Sequence, residues 1–167
     1  VRNGYHIKTV NCEGVKKIRL VEESLEHYSL ADEHDELIVI DAVASLYGNP
    51  NWLLCNQVDF FYTPIPLSIG GGINSVESAL KTLEKGADKI IVNSAAIEKP
   101  KLIEDIASIC GRQALVLQID AKLINNDYLC LTHGARELSK FKVSEWIQMA
   151  QDNGAGEVHV TSIDSEG

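Results

Sequence analysis

The sequence predicts an α/β protein built on a parallel sheet, and three observations carry that reading. Aliphatic runs such as Leu37-Ile38-Val39-Ile40 and Ile90-Ile91-Val92 are continuous rather than alternating, the mark of strands covered on both faces. Helical stretches with short connections separate these runs, which demands right-handed crossovers between parallel strands. Polar residues collect where the strands end, at Asp41, Gly70 to Gly72, Asn93, Asp120 and Asp164. Parallel α/β proteins build their sites on that rim. A closed (β/α) barrel and an open doubly wound sheet both satisfy the pattern.

The elements follow in order. Val1 to Lys8 reads as a loop with a short extended piece. Val15 to Glu33 has helical spacing at Ile18, Val21 and Leu25, so a helix is expected late in that span. Leu37 to Ile40 is a strand closed by Asp41. Asn49-Pro50 opens a helix carrying Trp52, Leu53, Cys55 and Val58, with proline in the first turn, where its missing N–H costs nothing. Pro64-Ile65-Pro66 ends that helix and leads to a strand running into Gly70-Gly71-Gly72.

Asn74 or Ser75 caps the next helix, Val76 to Lys85, and Gly86 stops it. Lys89 to Asn93 is a strand, Pro100 to Cys110 a helix stopped by Gly111, and Ala114 to Asp120 another strand. Asn125-Asn126-Asp127 reads as a hairpin turn between short extended pieces. A helix centred on Trp146 spans Val143 to Asn153, and Glu157 to Ile163 forms the last strand. Asp35 to Asp41 and Gly156 to Asp164 echo one another, as duplicated half-units do.

Bulk properties limit the function. At 167 residues and 45% hydrophobic, the chain is expected to form a single domain over residues 1–167. A net charge of −9 argues against nucleic acid or an anionic membrane as partner. No apolar run approaches the roughly 18 residues that a bilayer span needs. Cys12, Cys55, Cys110 and Cys130 lie far apart, which suits free thiols in a cytoplasmic protein and gives no clustered metal site. The start, Val1-Arg2-Asn3-Gly4, has neither an initiator Met nor a signal peptide, so the natural N-terminus is expected elsewhere.

Three groups of residues carry candidate chemistry. Strand, glycine turn and capped helix place backbone N–H groups where an anion can sit, and glycine allows the close approach. Gly72 would share that phosphate site with Asn93 and Ser94 on the next strand; helix capping by Ser94 is the competing explanation. Asp120, at the mouth of a buried strand, is a candidate general acid or base, or else a loop-capping residue. Asp41 has the same status. Lys8 could neutralise a phosphate, and Asp164 and Glu166 close the set. At the opposite strand ends sit Glu36, Lys89 and Glu157, read either as solvated ends or as a ring of opposite charges. The five histidines show no catalytic spacing and read as surface or core residues.

Together these blocks resemble the cyclase subunit of imidazole glycerol phosphate synthase, a (β/α)8 TIM barrel of histidine biosynthesis. The resemblance rests on Asp35-Glu36-Leu37 through Asp41-Ala42-Val43-Ala44-Ser45, Gly70-Gly71-Gly72-Ile73, Gly86-Ala87-Asp88-Lys89 and Asn93-Ser94-Ala95-Ala96. Further on, Ile119-Asp120-Ala121-Lys122, Gly154-Ala155-Gly156-Glu157 and Thr161-Ser162-Ile163-Asp164 match in the same order. It implies a lyase of about six strand–helix units without cofactor or metal, using ammonia from a partner glutamine amidotransferase on a phosphorylated ribonucleotide. Asp120 would be one of two acid–base aspartates; the other falls immediately before Val1. Gly72, Asn93 and Ser94 would bind phosphate, Lys8 would belong to the mobile first loop, and Glu36, Lys89 and Glu157 would form the ammonia gate.

Departures from the family pattern keep rivals open. Gln118 stands where a small or aliphatic residue is usual, Glu166 replaces an Asp, and Glu137-Leu138-Ser139 replaces a Thr-Gly. These features resemble a paralogous branch linked to sugar amidation in surface-polysaccharide synthesis. A non-catalytic activator of the amidotransferase and a sugar-phosphate isomerase are further alternatives. A chain cut at both ends would also have open sheet edges through which it could dimerise.

Overall fold

The computed structural model describes residues 1–10, 13–30, 34–47 and 64–165. The helix expected over Asn49 to Val58 lies outside the described residues, as do Cys12, Cys55 and Glu166.

The chain begins with an antiparallel hairpin, β1 (Tyr5–Val10) and β2 (Glu13–Leu20), followed by α1 (Val21–Ser29). Then come β3 (Leu37–Ile40), the short α2 (Ala44–Tyr47), β4 (Leu67–Gly70), α3 (Val76–Glu84) and β5 (Lys89–Val92). The one-turn α4 (Ser94–Glu98) precedes α5 (Lys101–Cys110). The long β6 (Leu115–Ile124) continues into a hairpin of β7 (Asp127–Thr132) and β8 (Glu137–Lys142). Helix α6 (Val143–Asp152) and β9 (Glu157–Ser162) complete the main elements.

Strands β3, β4, β5, β6 and β9 pair in parallel, in the order in which they occur in the chain. A doubly wound sheet needs a reversal of strand order; this sheet has none, so it follows the barrel pattern. Val1 joins the sheet as well. Its amino group donates to the Ile40 carbonyl at 2.5 Å, and its own carbonyl accepts from the Ala42 N–H at 2.9 Å.

The two faces of the sheet differ. Ile90, Val92, Leu115, Leu117 and Ile119 turn outward onto Ile103 and Ile106 of α5 and Trp146 of α6, all fully buried or nearly so. Phe141 stacks on Trp146 with ring centroids 5.0 Å apart. The alternate residues, Ile91, Val116, Gln118 and Asp120, face inward.

Ser75 caps α3 by accepting the Ser78 N–H at 3.1 Å, and Gly86 follows the helix at φ +108°. Gly156 enters β9 so close to Arg112 that a Cβ there would meet the Arg112 carbonyl oxygen at 2.0 Å.

Three features differ from the sequence reading. Tyr5–Val10 and Glu13–Leu20 form an antiparallel pair held by its cross-strand ladder, where the sequence reads as a loop with a short extended piece to Lys8 and as helical spacing from Val15. It buries little, since Val15, Ile18 and Leu20 are all exposed. Among the described residues β3 is less covered than its aliphatic run predicts: Val39 packs on Val21 and Leu25 of α1, while Ile38 is 43% exposed. β6 runs four residues past Asp120 because β7 supplies a new antiparallel partner from Asp120 to Ile124. The Asn125-Asn126 turn that joins them has both residues at positive φ, as a tight hairpin requires.

Candidate active site

The carboxyl ends of β3 to β6 and β9 open into a cavity of about 420 Å³, and Asp41, Gly72, Asn93, Ser94, Gln118, Asp120, His133 and Thr161 all line it. The register explains the convergence. Asp120 pairs with Thr161 and Gln118 with His159, so the inward residues of β6 and β9 stand in matched layers.

Asp120 is held at both oxygens. The Asn93 amide donates to Oδ2 at 2.9 Å, and Gln118 Nε2 lies 3.4 Å from Oδ1 and 2.9 Å from Thr161 Oγ1. A carboxylate presented this way, at the mouth of a cavity, can take a proton from a bound ligand or return one to it. The side-chain carbonyl oxygen of Asn93 is buried and has no hydrogen-bond partner among the described residues.

The anion cradle is narrower than the sequence suggests. The N–H groups of Asn74 and Ser75 both donate to the Ser78 hydroxyl, at 3.2 and 3.1 Å, so the two donors just ahead of α3 are engaged within the chain. What remains is the glycine turn, with Gly71 at φ +101° and Gly72 at φ +72°. A Cβ on Gly71 would lie 2.4 Å from the Asp41 carbonyl oxygen.

Ser94 is not a helix cap; Asn93 holds that position. The Ser94 hydroxyl accepts the His133 N–H at 2.8 Å, which leaves its proton to donate toward the cavity.

Other residues stand apart from the cavity. Asp41 lines it, yet its Oδ1 accepts the N–H groups of Val43 and Ala44 at 3.0 and 3.2 Å, so it caps α2. Lys8 is exposed on β1; Ile7 and Thr9, which alternate with it, face the adjoining cavity that reaches Asp120. Asp164 turns back to accept the Leu123 N–H at 2.8 Å and is exposed, away from the Gly72 turn. Strand alternation and local backbone donors place Lys8 and Asp164 there, and neither was visible without register.

At the base of the sheet Lys89 bridges two carboxylates, Glu36 at 3.1 Å and Glu157 at 2.7 Å, and Glu36 also accepts the Ser68 hydroxyl. These strand ends are therefore joined rather than separately solvated. The Ser68 hydroxyl bond holds the Glu36 carboxyl below its ordinary range, with burial opposing and Lys89 assisting. Hydrogen bonding to Glu157 holds the Lys89 ammonium above its ordinary range, and Glu36 adds to it.

Of the histidines read as surface or core residues, His133 lies at the cavity and His159 near the base of the sheet. His133 caps the cavity with its ring 3.4 Å from Glu98 and 3.5 Å from Glu137. His159 faces inward, 3.9 Å from Glu157. The Thr132-His133-Gly134 turn was the available signal for the first, since His133, Gly134 and Ala135 all adopt positive φ. Among the described residues no group of three or more His, Cys, Asp and Glu could hold a metal ion, and no helix is long and apolar enough to cross a membrane.

A sequentially ordered parallel sheet with its polar cavity on the carboxyl rim defines a (β/α) barrel protein. The chain belongs to the histidine biosynthesis family: the family model described as "Histidine biosynthesis protein" matches residues 1–167. It is 40% identical to the imidazole glycerol phosphate synthase subunit HisF of Chlorobium phaeobacteroides over the whole chain and 66% of that protein. The subunits of the same name from Prosthecochloris aestuarii and Chlorobium chlorochromatii are 39% and 38% identical, again over all of this chain and 66% of theirs. The chain thus spans a little under two-thirds of the length of these relatives.

Proposed function

We propose that this chain carries the cyclase chemistry of imidazole glycerol phosphate synthase, a lyase reaction on a phosphorylated ribulosyl aminoimidazole carboxamide ribonucleotide. One observation carries the reading: Asp120 and the Gly72–Ser94 cradle open into the same cavity. An anionic group seated on the glycine turn and the Ser94 hydroxyl holds the substrate, and Asp120 is left facing the reacting atoms. Ammonia condenses with the substrate carbonyl with loss of one water, ring closure forms the imidazole, and cleavage of the C–N bond releases imidazole glycerol phosphate and the aminoimidazole carboxamide ribonucleotide. Asp120 moves protons in these steps, and the amide contacts on its carboxylate support that role.

Nitrogen enters from the other end of the strands. Glu36, Lys89 and Glu157 form the gate there, and a glutamine amidotransferase docks against it to supply ammonia. The family relationship supports that partner, and the joined charges at the base support the gate. A cytoplasmic location fits the reaction.

Amidation of a nucleotide sugar stays as the second reading, because Gln118 fills the floor of the cavity with a polar side chain. Turnover assays on the full-length protein separate the two. Ammonium-dependent consumption of the ribonucleotide supports the cyclase, and its absence together with consumption of a nucleotide sugar supports the paralogue.

A further inference from the structure

We propose that Gln118 is a positioning residue for Asp120, an amide that fixes which way the carboxylate faces the cavity. The inference rests on the reading of Asp120 as the acid–base group. Gln118 and Asp120 are two residues apart on β6, so both side chains leave the inward face. Gln118 is 9% exposed, and its Nε2 sits 2.9 Å from Thr161 Oγ1 on β9 and 3.4 Å from Asp120 Oδ1.

Asn93 holds Oδ2 of the carboxylate, and the second amide, on the other oxygen, opposes rotation of the group about that contact. Thr161 in turn holds Gln118, so a short chain of contacts runs from β9 through Gln118 to the carboxylate. An ionised carboxylate only accepts, so both amides must present their NH₂ groups to it. Methionine has nearly the same length and volume as glutamine and no donor. A residue needed only to fill the floor of the cavity would therefore tolerate it.

The test uses the full-length protein with ammonium as nitrogen donor, comparing the parent with Gln118→Met, Thr161→Val and the double variant. Gln118→Met is expected to lower kcat about 10- to 30-fold and to leave KM for the phosphorylated substrate within about 2-fold, the signature of a misaligned reacting group. Thr161→Val gives a smaller loss, and the double variant is no worse than Gln118→Met, because Thr161 acts through Gln118. Parent-like kcat in Gln118→Met overturns the proposal, as does a double variant whose losses multiply.

If the parent turns over none of the ribonucleotide, the cyclase reading fails, and the side-chain carbon-13 signal of Asp120 becomes the readout. A shifted or broadened Asp120 signal in Gln118→Met sustains the positioning role. An unchanged one overturns it.

Discussion

The side-chain amide of Asn93, at the end of β5, donates to the Asp120 carboxylate of β6 at 2.9 Å and ties two neighbouring strands together at the rim of the cavity. Leucine at this position keeps most of the volume and removes the donor. Asn93→Leu is expected to cost about 1–3 kcal/mol in urea denaturation, the usual loss when a charged acceptor inside a fold loses a partner. Catalytic turnover should fall in the same variant.

The charge trio at the base of the sheet gives a pH signature. Glu36 is held below its ordinary value of 4.5, so its contribution is present above that range and is lost as pH falls through the lowered value. Lys89 is held above its ordinary 10.5, so its contribution is full below 10.5 and is lost as pH rises through the raised value. The stability difference between parent and Lys89→Met should therefore be flat near neutrality and shrink at both extremes. Chemical denaturation across that range measures it, and a difference that peaks at either extreme would contradict the assignment.

Two glycines at positive φ should respond differently to alanine. Gly14, at φ +69°, has nothing among the described residues within 4 Å of the place an alanine methyl would occupy, so Gly14→Ala is expected to cost the backbone strain, about 1–2 kcal/mol. Gly71→Ala adds a clash with Asp41 and should cost clearly more, while distorting the turn beside Gly72. Thermal melting of the two variants gives the order.

Cys130 is buried in β7, and burial pushes its thiol up to about 11. Iodoacetamide at pH 8 should leave it unmodified in the folded protein and alkylate it in urea, as read by peptide mass spectrometry.

Much of this architecture is legible where local signals agree. In the run from Leu67 to Val92, a buried strand, the Ser75 cap, the Gly86 stop and a second aliphatic strand all point the same way, and the fold follows them. The pairing of β1 with β2 was not legible, because the exposed Val15 and Ile18 follow neither a clear strand alternation nor a buried face. The site was half visible. Gly72, Asn93, Ser94 and Asp120 mark strand ends by residue type, which is enough to bring them to one rim. The contacts of Gln118 with Thr161, of His133 with Ser94 and of Asp164 with Leu123 depend on pairing between segments about 40 residues apart, and no local pattern encodes that register.

In the proposed reaction Asp120 does acid–base work on a ligand held at the Gly72 turn while ammonia serves as the nucleophile. The direct measurement is ammonium-dependent turnover of the ribonucleotide by the full-length protein and by Asp120→Asn. Turnover is expected in the parent and a loss of at least about 100-fold in the variant, with the melting temperature essentially kept. Parent-level turnover by Asp120→Asn would contradict it.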